Sequence, residues 1–341
     1  MKNVRSRTGS EGEVITRRRV LLQFSLGTFA PLFAPLGWAA GPPKVIGVLN
    51  AYAPSDVRSS LDAFDRAMLA LGYVKGSHYV VIERMAGSNN ELLRPMADEL
   101  VRLKVDLIHA APSNAVVEAQ RATSTIPIVF VAVADPVAQG FADSVAHPGR
   151  NLTGLSNNAG ELGPKRLAFL KQMVPGITRV AVLVTSKTPT YPAFVAGFQA
   201  TADTLGWDTR VIESALPLDL ATAFRSIAAS RAQALYVAGD PYLWGARKQL
   251  AELALEYRLP TIFPFVEHVE AGGFMSYGAD QTDWMRQSAI YVAKIFNGAK
   301  PGDLPIEQPS KIDLVVNRRT ADALHLRIPQ LLLLQAARVI E

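Results

Sequence analysis

From Lys44 onward, short runs of consecutive apolar residues alternate with longer stretches in which apolar residues recur every three or four positions. The short runs are typical of buried strands, and the longer spacing predicts helices with one apolar face. The strands predicted in the first half of the chain are residues 45–49, 79–82, 105–110 and 128–133. The helices predicted between them are residues 57–71 with Asp56 as cap, a helix capped by Asn90 and extending to Leu103, and residues 113–121. This alternation predicts a parallel sheet covered on both faces.

The same alternation starts again at Arg179. The strands predicted in this second part are residues 179–184, 208–212, 234–237, 260–263 and 273–277. The helices predicted between them are residues 192–205, 220–230 and 243–257. Two similar units in tandem predict an α/β fold of two Rossmann-like lobes.

Several segments are predicted to connect the two lobes. Residues 151–156 have the pattern of a strand that crosses from one lobe to the other. A helix predicted at 282–297 is followed by a proline-marked extended passage, which we interpret as a further crossing before a last strand at 311–316. We therefore predict a multi-crossing hinge between a lobe 1 and a lobe 2. Lobe 1 is formed by residues 44–155 plus 278–308, and lobe 2 by residues 156–277 plus 309–341.

The first 39 residues have a different pattern. Three arginines at 17–19 precede an apolar run of about eleven residues, which Pro31 and Pro35 interrupt. A membrane-spanning helix needs about 20 apolar residues, whereas the hydrophobic part of a signal peptide needs about 7–15. We therefore predict that residues 1–39 are an export signal peptide, cleaved after Ala39. The alternative is an amphipathic first helix of the fold, which the prolines disfavour.

The route of export has a candidate signal of its own. Residues 16–21 read Thr-Arg-Arg-Arg-Val-Leu and resemble the twin-arginine signal, in which Phe and Lys usually stand where this chain has Val20 and Leu22. The general secretory route stays open beside it. Either route predicts a protein of the periplasm that is soluble once the signal has been removed.

Charge and cysteine content exclude several classes of function. The leader has six basic and two acidic residues, so it carries most of the net charge of +5, and the remaining chain is nearly neutral. A nearly neutral body offers no electrostatic footprint for nucleic acid. The chain has no cysteine, which excludes disulfides, thiolate catalysis, cysteine-ligated metals and a lipid anchor on cysteine.

The familiar catalytic motifs do not occur in this sequence. It has no GxGxxG, no GxxxxGK[ST] and no GxSxG, and its five histidines form no closely spaced ligand pair. A pair of carboxylates brought together by the fold stays open, because spatial pairing is invisible in a sequence. We predict no catalytic residue, no metal and no cofactor.

Hydrogen-bonding and aromatic residues follow the predicted strands, where ligands bind in open α/β sheets. Ser113 begins a predicted helix, whose free N–H groups attract a carboxylate or phosphate. A purely structural role also stays open, with Ser113 and Asp240 as helix caps and Asp135 as a turn residue. The candidate ligand-binding residues are Asn50, Tyr52, Ser113, Asn114, Asp135, Ser156, Asn157, Thr185, Ser186, Tyr191, Asp240, Phe265 and Tyr277.

Four stretches of the mature chain carry a resemblance to a known family. They include Ile-Gly-Val-Leu at 46–49, His-Pro-Gly-Arg-Asn-Leu-Thr-Gly at 147–154, Gly-Gly-Phe-Met-Ser-Tyr-Gly at 272–278 and Leu-Pro-Ile-Glu-Gln-Pro at 304–309. With them, residues 44–341 resemble the ABC-transporter substrate-binding proteins of the type I periplasmic-binding fold, in the family with tryptophan- and tyrosine-binding members. The family usually has glycine where this chain has Arg150.

The resemblance implies a two-lobed clamp that closes on a small-molecule ligand. The closed form docks on an ABC permease in the inner membrane, and a cytoplasmic ATPase drives import. We expect a monomer with no nucleic-acid partner and no enzymatic activity. A helix start at Ser113 and aromatic residues in both lobes favour a small carboxylate-bearing ligand, with an amino acid first. Asp135 or Asp240 would pair with its amino group.

Three alternative functions compete with this interpretation. An exported α/β hydrolase would use Asp135 or Asp240, and loss of turnover in alanine variants would identify it. A ligand sensor for a signalling receptor would have the same fold without transport. A transcriptional regulator is disfavoured, because no helix-turn-helix precedes Lys44.

Overall fold

The computed structural model of the chain describes residues 42–87, 89–157, 159–185, 191–309 and 311–341. The predicted signal peptide, residues 1–39, and the candidate Ser186 lie outside these residues. The strands are β1 Lys44–Asn50, β2 Tyr79–Met85, β3 Leu107–Ala111, β4 Ile128–Val133, β5 Leu152–Ser156, β6 Arg179–Val184, β7 Asp208–Glu213, β8 Ala234–Val237, β9 Thr261–Phe263, β10 Met275–Ala279, β11 Ile312–Asn317 and β12 Arg338–Ile340.

Helices follow most of these strands. They are α1 Pro54–Ala70, α2 Leu93–Arg102, α3 Ser113–Ala122, α4 Ala159–Met173, α5 Tyr191–Thr204, α6 Leu220–Ala229, α7 Pro241–Gly245, α8 Arg247–Glu256, α9 Val266–Glu270, α10 Gln281–Phe296, α11 Arg318–Ala323 and α12 Gln330–Gln335.

The first sheet has the strand order β2-β1-β3-β4-β5, and every neighbouring pair is parallel. One face packs against α1 and α10, where Phe64 and Trp284 are buried together with Val48 of β1. The other face packs against α2 and α3, where Leu100 and Val116 are buried. Because both faces are covered, the strands carry near-continuous apolar runs, as in other parallel sheets.

The second sheet has the strand order β12-β11-β10-β9-β8-β6-β7. Its strands β7, β6, β8, β9 and β10 are parallel and repeat the order of the first sheet. β11 then runs antiparallel to β10, and β12 lies parallel to β11. A second large core surrounds this sheet, with Val182 and Leu235 of the strands against Phe198 of α5 and Phe224 of α6.

The chain passes between the sheets at three places within the described residues. It leaves the first sheet after β5, returns after β10 to form α10 beside α1, and enters the second sheet again at β11. The prediction of two α/β lobes is thereby confirmed. The exact lobe boundaries stay a prediction; below, the first lobe means the first sheet with α1, α2, α3 and α10, and the second lobe means the second sheet with its other helices.

Among the local details that differ from the sequence prediction are three helical segments. The prediction that Asp56 caps the first helix is wrong, because α1 begins after Ala53 and Asp56 lies in its first turn. The helix predicted at 243–257 is divided into α7 and α8, with Ala246 between them. The whole of α4 was absent from the prediction, because Pro164 lies inside this helix and proline there normally indicates a break.

Candidate ligand-binding cleft

A large cavity lies where the carboxyl ends of the two sheets face each other. Its volume is about 450 Å³, within the range of small-molecule sites. The first lobe and the crossings contribute Ala134, Asp135, Pro136, Val145, Ser156, Asn157, Ala279, Trp284 and Gln308. The second lobe contributes residues of α4 and α5 and of the strand ends, among them Pro164, Arg166, Thr185, Tyr191, Phe194, Phe198, Tyr236, Asp240 and Phe265. The cavity is therefore shared by both lobes.

A smaller cavity adjoins the large one on the side of α3. Its volume is about 30 Å³, enough for a water molecule or the tip of a ligand group. Tyr52, Pro112, Ser113 and Asn114 line it from the first lobe. The two cavities share five lining residues, which are Ala134, Asn157, Gly239, Asp240 and Phe265. A ligand in the large cavity can therefore extend toward the start of α3.

The N-terminus of α3 has the properties of a site that binds an anion or another hydrogen-bond acceptor. Pro112 is the capping residue and makes no side-chain hydrogen bond to the helix. Because Pro112, Ser113 and Asn114 line the small cavity, the positive end of the helix dipole lies beside it. The amide Nδ2 of Asn114 is buried and has no hydrogen-bond partner among the described residues. The Ser113 hydroxyl accepts a hydrogen bond from Nε2 of Gln139 at 3.3 Å. Ser113 is the first residue of the helix and does not cap it.

A bulge at the end of β4 shapes the floor between the cavities. The register of β4 with β5 shifts between Phe130 and Val133, and Ala132 has a positive φ of 61°. The amide of Asn157 donates a hydrogen bond to the carbonyl of Ala132 at 3.3 Å. Bulges commonly re-aim a strand end beside a functional site. Here the bulge places the following residue, Ala134, against both cavities.

Asp240 and Thr185 occupy the strand ends of the second lobe. The buried carboxylate of Asp240 accepts hydrogen bonds from the backbone N–H of Leu243 at 2.8 Å and from the Thr185 hydroxyl. It thereby caps α7, as a helix-capping aspartate does. It also lines both cavities, so its structural role and a role in binding are compatible.

Arg166 is a buried cation on the wall of the large cavity. It projects from α4 and is only 5% exposed. Its Nε donates to the carbonyl of Tyr277 at 2.7 Å, and Nη1 donates to the Tyr236 hydroxyl at 3.0 Å. Nη2 donates to the carbonyl of Pro264 at 3.5 Å. These contacts hold the guanidinium across the ends of β8, β9 and β10.

The lobes also contact each other beside the cavities. The ring of Tyr52 packs on the ring of Trp244, with centroids 4.6 Å apart. Arg247 lies over the Trp244 ring at 4.4 Å and forms an ion pair of 3.0 Å with Asp56 of α1. Burial raises the pKa of the Tyr52 phenol, and the nearby carboxylates of Asp240, Glu267 and Asp56 raise it further. This contact joins a turn and a helix of the first lobe to α7 and α8 of the second.

Glu267 of α9 lies close to this contact, and its carboxyl group has an unusual environment. Its Oε2 atom is buried and finds no hydrogen-bond partner in the part of the chain that the structure describes. Burial raises its pKa to about 7, and the carboxylates of Asp280 and Glu270 act in the same direction. Arg247 and a backbone hydrogen bond oppose the shift. The group therefore titrates near neutral pH.

The structure brings most of the predicted binding residues to the two cavities. Asp135, Ser156, Asn157, Thr185, Tyr191, Asp240 and Phe265 line the large cavity. Tyr52, Ser113 and Asn114 line the small one. Asn50 instead accepts a hydrogen bond from the backbone N–H of Tyr52 at 2.9 Å and so fixes the turn after β1. Tyr277 packs against Phe169 with ring centroids 4.8 Å apart.

Other residues of the cleft were not predicted from the sequence. Those with large side chains that bear on the argument include Arg166, Trp284, Tyr236 and Phe194 in the large cavity, and Trp244 in the contact beside it. The helix of Arg166 was missed because of Pro164, and the remaining four are aromatic residues inside strands or helices whose pattern equally fits a core. The only sequence signal for Tyr236 and Trp244 was their position at or just beyond the end of β8.

Two negative findings apply to the part of the chain that the structure describes. No group of three or more histidine, aspartate or glutamate side chains is placed to hold a metal ion. No helix combines the length and the apolar character that crossing a membrane requires.

Comparison with known proteins gives a consistent result. A family model described as "ABC transporter substrate binding protein" matches residues 54–340. A tyrosine-binding protein of Clostridioides difficile strain R20291 is 23% identical over 286 residues, which cover 83% of this chain and 81% of the relative. These matches agree with the family resemblance of the sequence.

Solved structures show the same fold. An ABC domain from Streptococcus pneumoniae in complex with L-Trp has a TM-score of 0.81 at 22% identity, covering 88% of this chain and 100% of the other. A conserved domain protein of Vibrio cholerae also has a TM-score of 0.81, at 23% identity, covering 87% of this chain and 100% of the other. The two lobes thus form a type I periplasmic-binding fold.

Proposed function

The chain belongs to the family of ABC transporter substrate-binding proteins, and from this premise we propose that it is the receptor of an import system for a small carboxylate-bearing ligand, with an amino acid favoured. Members of the family bind small molecules for ABC transporters and work outside the cytoplasm. The observation that carries the proposal is the cavity of about 450 Å³ lined by both lobes. A ligand there contacts both lobes at once.

The carboxylate of the ligand is proposed to bind at the start of α3. Backbone N–H groups at a helix N-terminus and the helix dipole favour an anion. The unpartnered Nδ2 of Asn114 adds a buried donor beside them. Since an unpaired buried donor costs about 1–3 kcal/mol, a ligand acceptor at this position regains that free energy.

An α-amino group is proposed to pair with Asp240. Asp240 lines both cavities, whereas Asp135 lines only the large one and is exposed. A buried carboxylate interacts with a cation more strongly than an exposed one, because solvent screens it less. The role of Asp135 is then structural, since its carboxylate accepts from the backbone N–H of Ala138 at 3.0 Å.

The side chain of the ligand is proposed to be apolar or aromatic. Phe194, Tyr236 and Phe265 supply ring surfaces to the large cavity, and Trp284 contacts Phe265 edge to face. Rings pack favourably against such faces. The names of two relatives, a tyrosine-binding protein and an ABC domain in complex with L-Trp, support an aromatic amino acid.

Ligand binding is proposed to close the lobes. The three crossings between the sheets form a hinge, and a ligand that contacts both lobes binds the closed form more tightly. The closed form would dock as a monomer on an inner-membrane permease, with a cytoplasmic ATPase driving import. No catalytic role is proposed, because the family consists of substrate-binding proteins.

Periplasmic location is proposed from the leader. The arginines at 17–19 and the short apolar run behind them support cleavage after Ala39 and a free periplasmic protein. Arg17→Lys combined with Arg18→Lys would block export specifically if the twin-arginine route is used.

One purification tests these proposals together. Protein expressed with its own leader is isolated gently from the periplasm of a bacterial host and measured by intact and native mass spectrometry. We expect a chain that begins near Ala40 and a retained carboxylate-bearing compound. Calorimetry with the common L-amino acids and small-angle scattering then measure affinity and the decrease in radius of gyration on closure.

Each readout has its own contrary outcome. Full-length protein in washed membranes contradicts the leader proposal alone. Binding of a sugar or polyol, with no response to any carboxylate, contradicts the ligand class. An unchanged scattering profile at saturating ligand contradicts closure.

A further inference from the structure

Arg166 has a position that the proposed function does not use. The N-terminus of α3 lies on the first-lobe side of the cleft, whereas Arg166 lies on the second-lobe wall. Its three hydrogen bonds connect it to β8, to β10 and to the residue that follows β9. Residues from three neighbouring strands therefore fix the guanidinium before any ligand arrives.

Among the described residues, the hydrogen-bond acceptors of the Arg166 guanidinium are all neutral groups. The acceptors that the described residues supply are two carbonyls and one phenolic hydroxyl. An arginine has five N–H donors and stays protonated in proteins, so a donor on each terminal nitrogen remains beyond these three bonds. A buried charge without an opposite charge is unfavourable. An anion in the adjoining cavity would relieve this, and the planar fork of a guanidinium matches a carboxylate.

Aromatic surface lies near this cation in the cavity. Phe194 contacts Tyr236 with ring centroids 5.7 Å apart, and both line the cavity wall to which Arg166 belongs. Such surface suits an apolar or aromatic spacer better than a charged one. The cleft thus offers an anion site in each lobe and ring surface in the large cavity.

We propose that Arg166 binds a second anionic group of the ligand, so that the ligand is an amino acid or similar compound with an acidic group at its far end and an apolar spacer. The inference rests on the proposed function, because it assumes that the first carboxylate binds at α3. A dianionic ligand would bridge the lobes by charge-assisted hydrogen bonds at both ends and thereby favour the closed form.

The first test needs only the unaltered mature chain. Calorimetry compares para-carboxy-L-phenylalanine with para-carbamoyl-L-phenylalanine, which share a ring and differ in the charge of the far group. L-glutamate and L-glutamine form a second, smaller pair. We expect the acid of at least one pair to bind about tenfold to a hundredfold more tightly than its amide, the range of a charge-assisted hydrogen bond.

Variants of Arg166 then test whether this residue causes the preference for the acid over the amide. Arg166→Gln should remove the preference by weakening the acid about tenfold or more while changing the amide less than about threefold. Arg166→Lys keeps the charge but loses the fork, so it should retain part of the preference. Arg210→Gln is the matched control, because Arg210 is an exposed cation of the same lobe that pairs with Asp208. It should behave as the unaltered chain does.

The outcomes separate this inference from the proposed function. Equal binding of acid and amide overturns the inference, as does a preference that survives in a folded Arg166→Gln variant. If circular dichroism shows that Arg166→Gln is unfolded, Tyr236→Phe replaces it, since this change removes one anchor of the guanidinium. A preference unchanged in both Tyr236→Phe and Arg166→Lys then overturns the inference. Binding of neutral amino acids alone overturns the inference and leaves the proposed function intact, whereas no binding of any amino acid counts against both.

Discussion

The two lobes share a strand order but present different chemistry to the cleft. The first lobe offers backbone N–H groups and small polar side chains at the start of α3, with Asn114 as a buried unpartnered donor. The second lobe offers large side chains, among them Arg166, Tyr236 and Phe265. A repeated topology therefore does not lead to a repeated site, because the residues around the strand ends differ between the lobes.

This difference divides the proposed work of recognition between the lobes. Backbone groups at a helix start recognise a carboxylate whatever side chain the ligand has, so the first lobe suits a general feature of the ligand. Side chains that form the wall of a cavity respond to size and charge, so the second lobe suits the features that distinguish one ligand from another. Changes in the second lobe should therefore alter selectivity more than changes in the first.

The largest expected effect comes from Glu267 in the second lobe. In the unfolded chain its pKa is near 4.5, and in the folded protein burial raises it to about 7. Below about pH 4.5 the Glu267 carboxyl group is protonated in both the folded and the unfolded state. The contribution of this group to the free energy of unfolding is then fully present. As the pH rises toward 7, the unfolded state releases the proton first, so the free energy of unfolding falls by about 3 kcal/mol.

Glu267→Gln should remove this pH-dependent fall in the free energy of unfolding. Urea unfolding between pH 4 and pH 8 measures it, and the variant should gain stability relative to the unaltered chain as the pH rises. Glu270→Gln on the same helix is the control, because Glu270 is exposed and pairs with Arg338. A surface pair contributes at most about 1 kcal/mol. Equal pH profiles for the unaltered chain and Glu267→Gln would contradict the prediction.

The next largest expected effect concerns ligand binding by the first lobe. Ser113→Ala should weaken binding of a carboxylate ligand about tenfold if the hydroxyl donates to it, since a charge-assisted hydrogen bond contributes about 1.5–3 kcal/mol. Its melting temperature should change little, because Ser113 does not cap α3. Calorimetry and thermal melts of the same preparation measure the two quantities.

Ser230→Ala is a matched control for that change, since the Ser230 hydroxyl donates to the carbonyl of Ile227 at the end of α6 and Ser230 lines neither cavity. It should leave the dissociation constant unchanged. Unchanged affinity in Ser113→Ala, with or without lost stability, would remove the hydroxyl from the binding site.

The smallest effect concerns the contact that joins the lobes. Asp56→Asn breaks the ion pair with Arg247, whose two side chains are 18% and 26% exposed. A partly exposed pair contributes about 0–1 kcal/mol, so the ligand-free protein should shift modestly toward a larger radius of gyration at low salt. Asp98→Asn removes a pair with Arg94 on the surface of the first lobe. If Asp98→Asn increases the radius of gyration as much as Asp56→Asn does, the increase does not come from the contact between the lobes.

The repeated α/β pattern could be predicted from the sequence because apolar runs and helical spacing are local signals. Eleven of the twelve strands correspond to predicted runs, although β2 and β10 extend three and two residues beyond their predicted ends. α4 was missed because Pro164 breaks the signal that defines a helix. The cap at Asp56 was wrong because Pro54 begins α1 one turn earlier than the aspartate suggested.

The site was only partly predictable for a different reason. Residues directly after strands, such as Ser113 and Asp240, can be placed because parallel strands align their ends. Arg166 lies in the middle of a helix and reaches the cleft only because α4 packs over the ends of three strands. Such a contact depends on the packing of distant segments and leaves no local signal.

The late position of α10 has a consequence for how the protein is made. Trp284, Met285 and Val292 of this helix cover one apolar face of the first sheet, although that sheet is otherwise formed before residue 157. During synthesis the first sheet therefore emerges with α1 but not α10 on this face, and part of the face stays uncovered until residues beyond 280 follow. Exposed apolar surface of this kind is prone to aggregation. We therefore expect the first lobe to complete its native packing only after most of the chain has been synthesised.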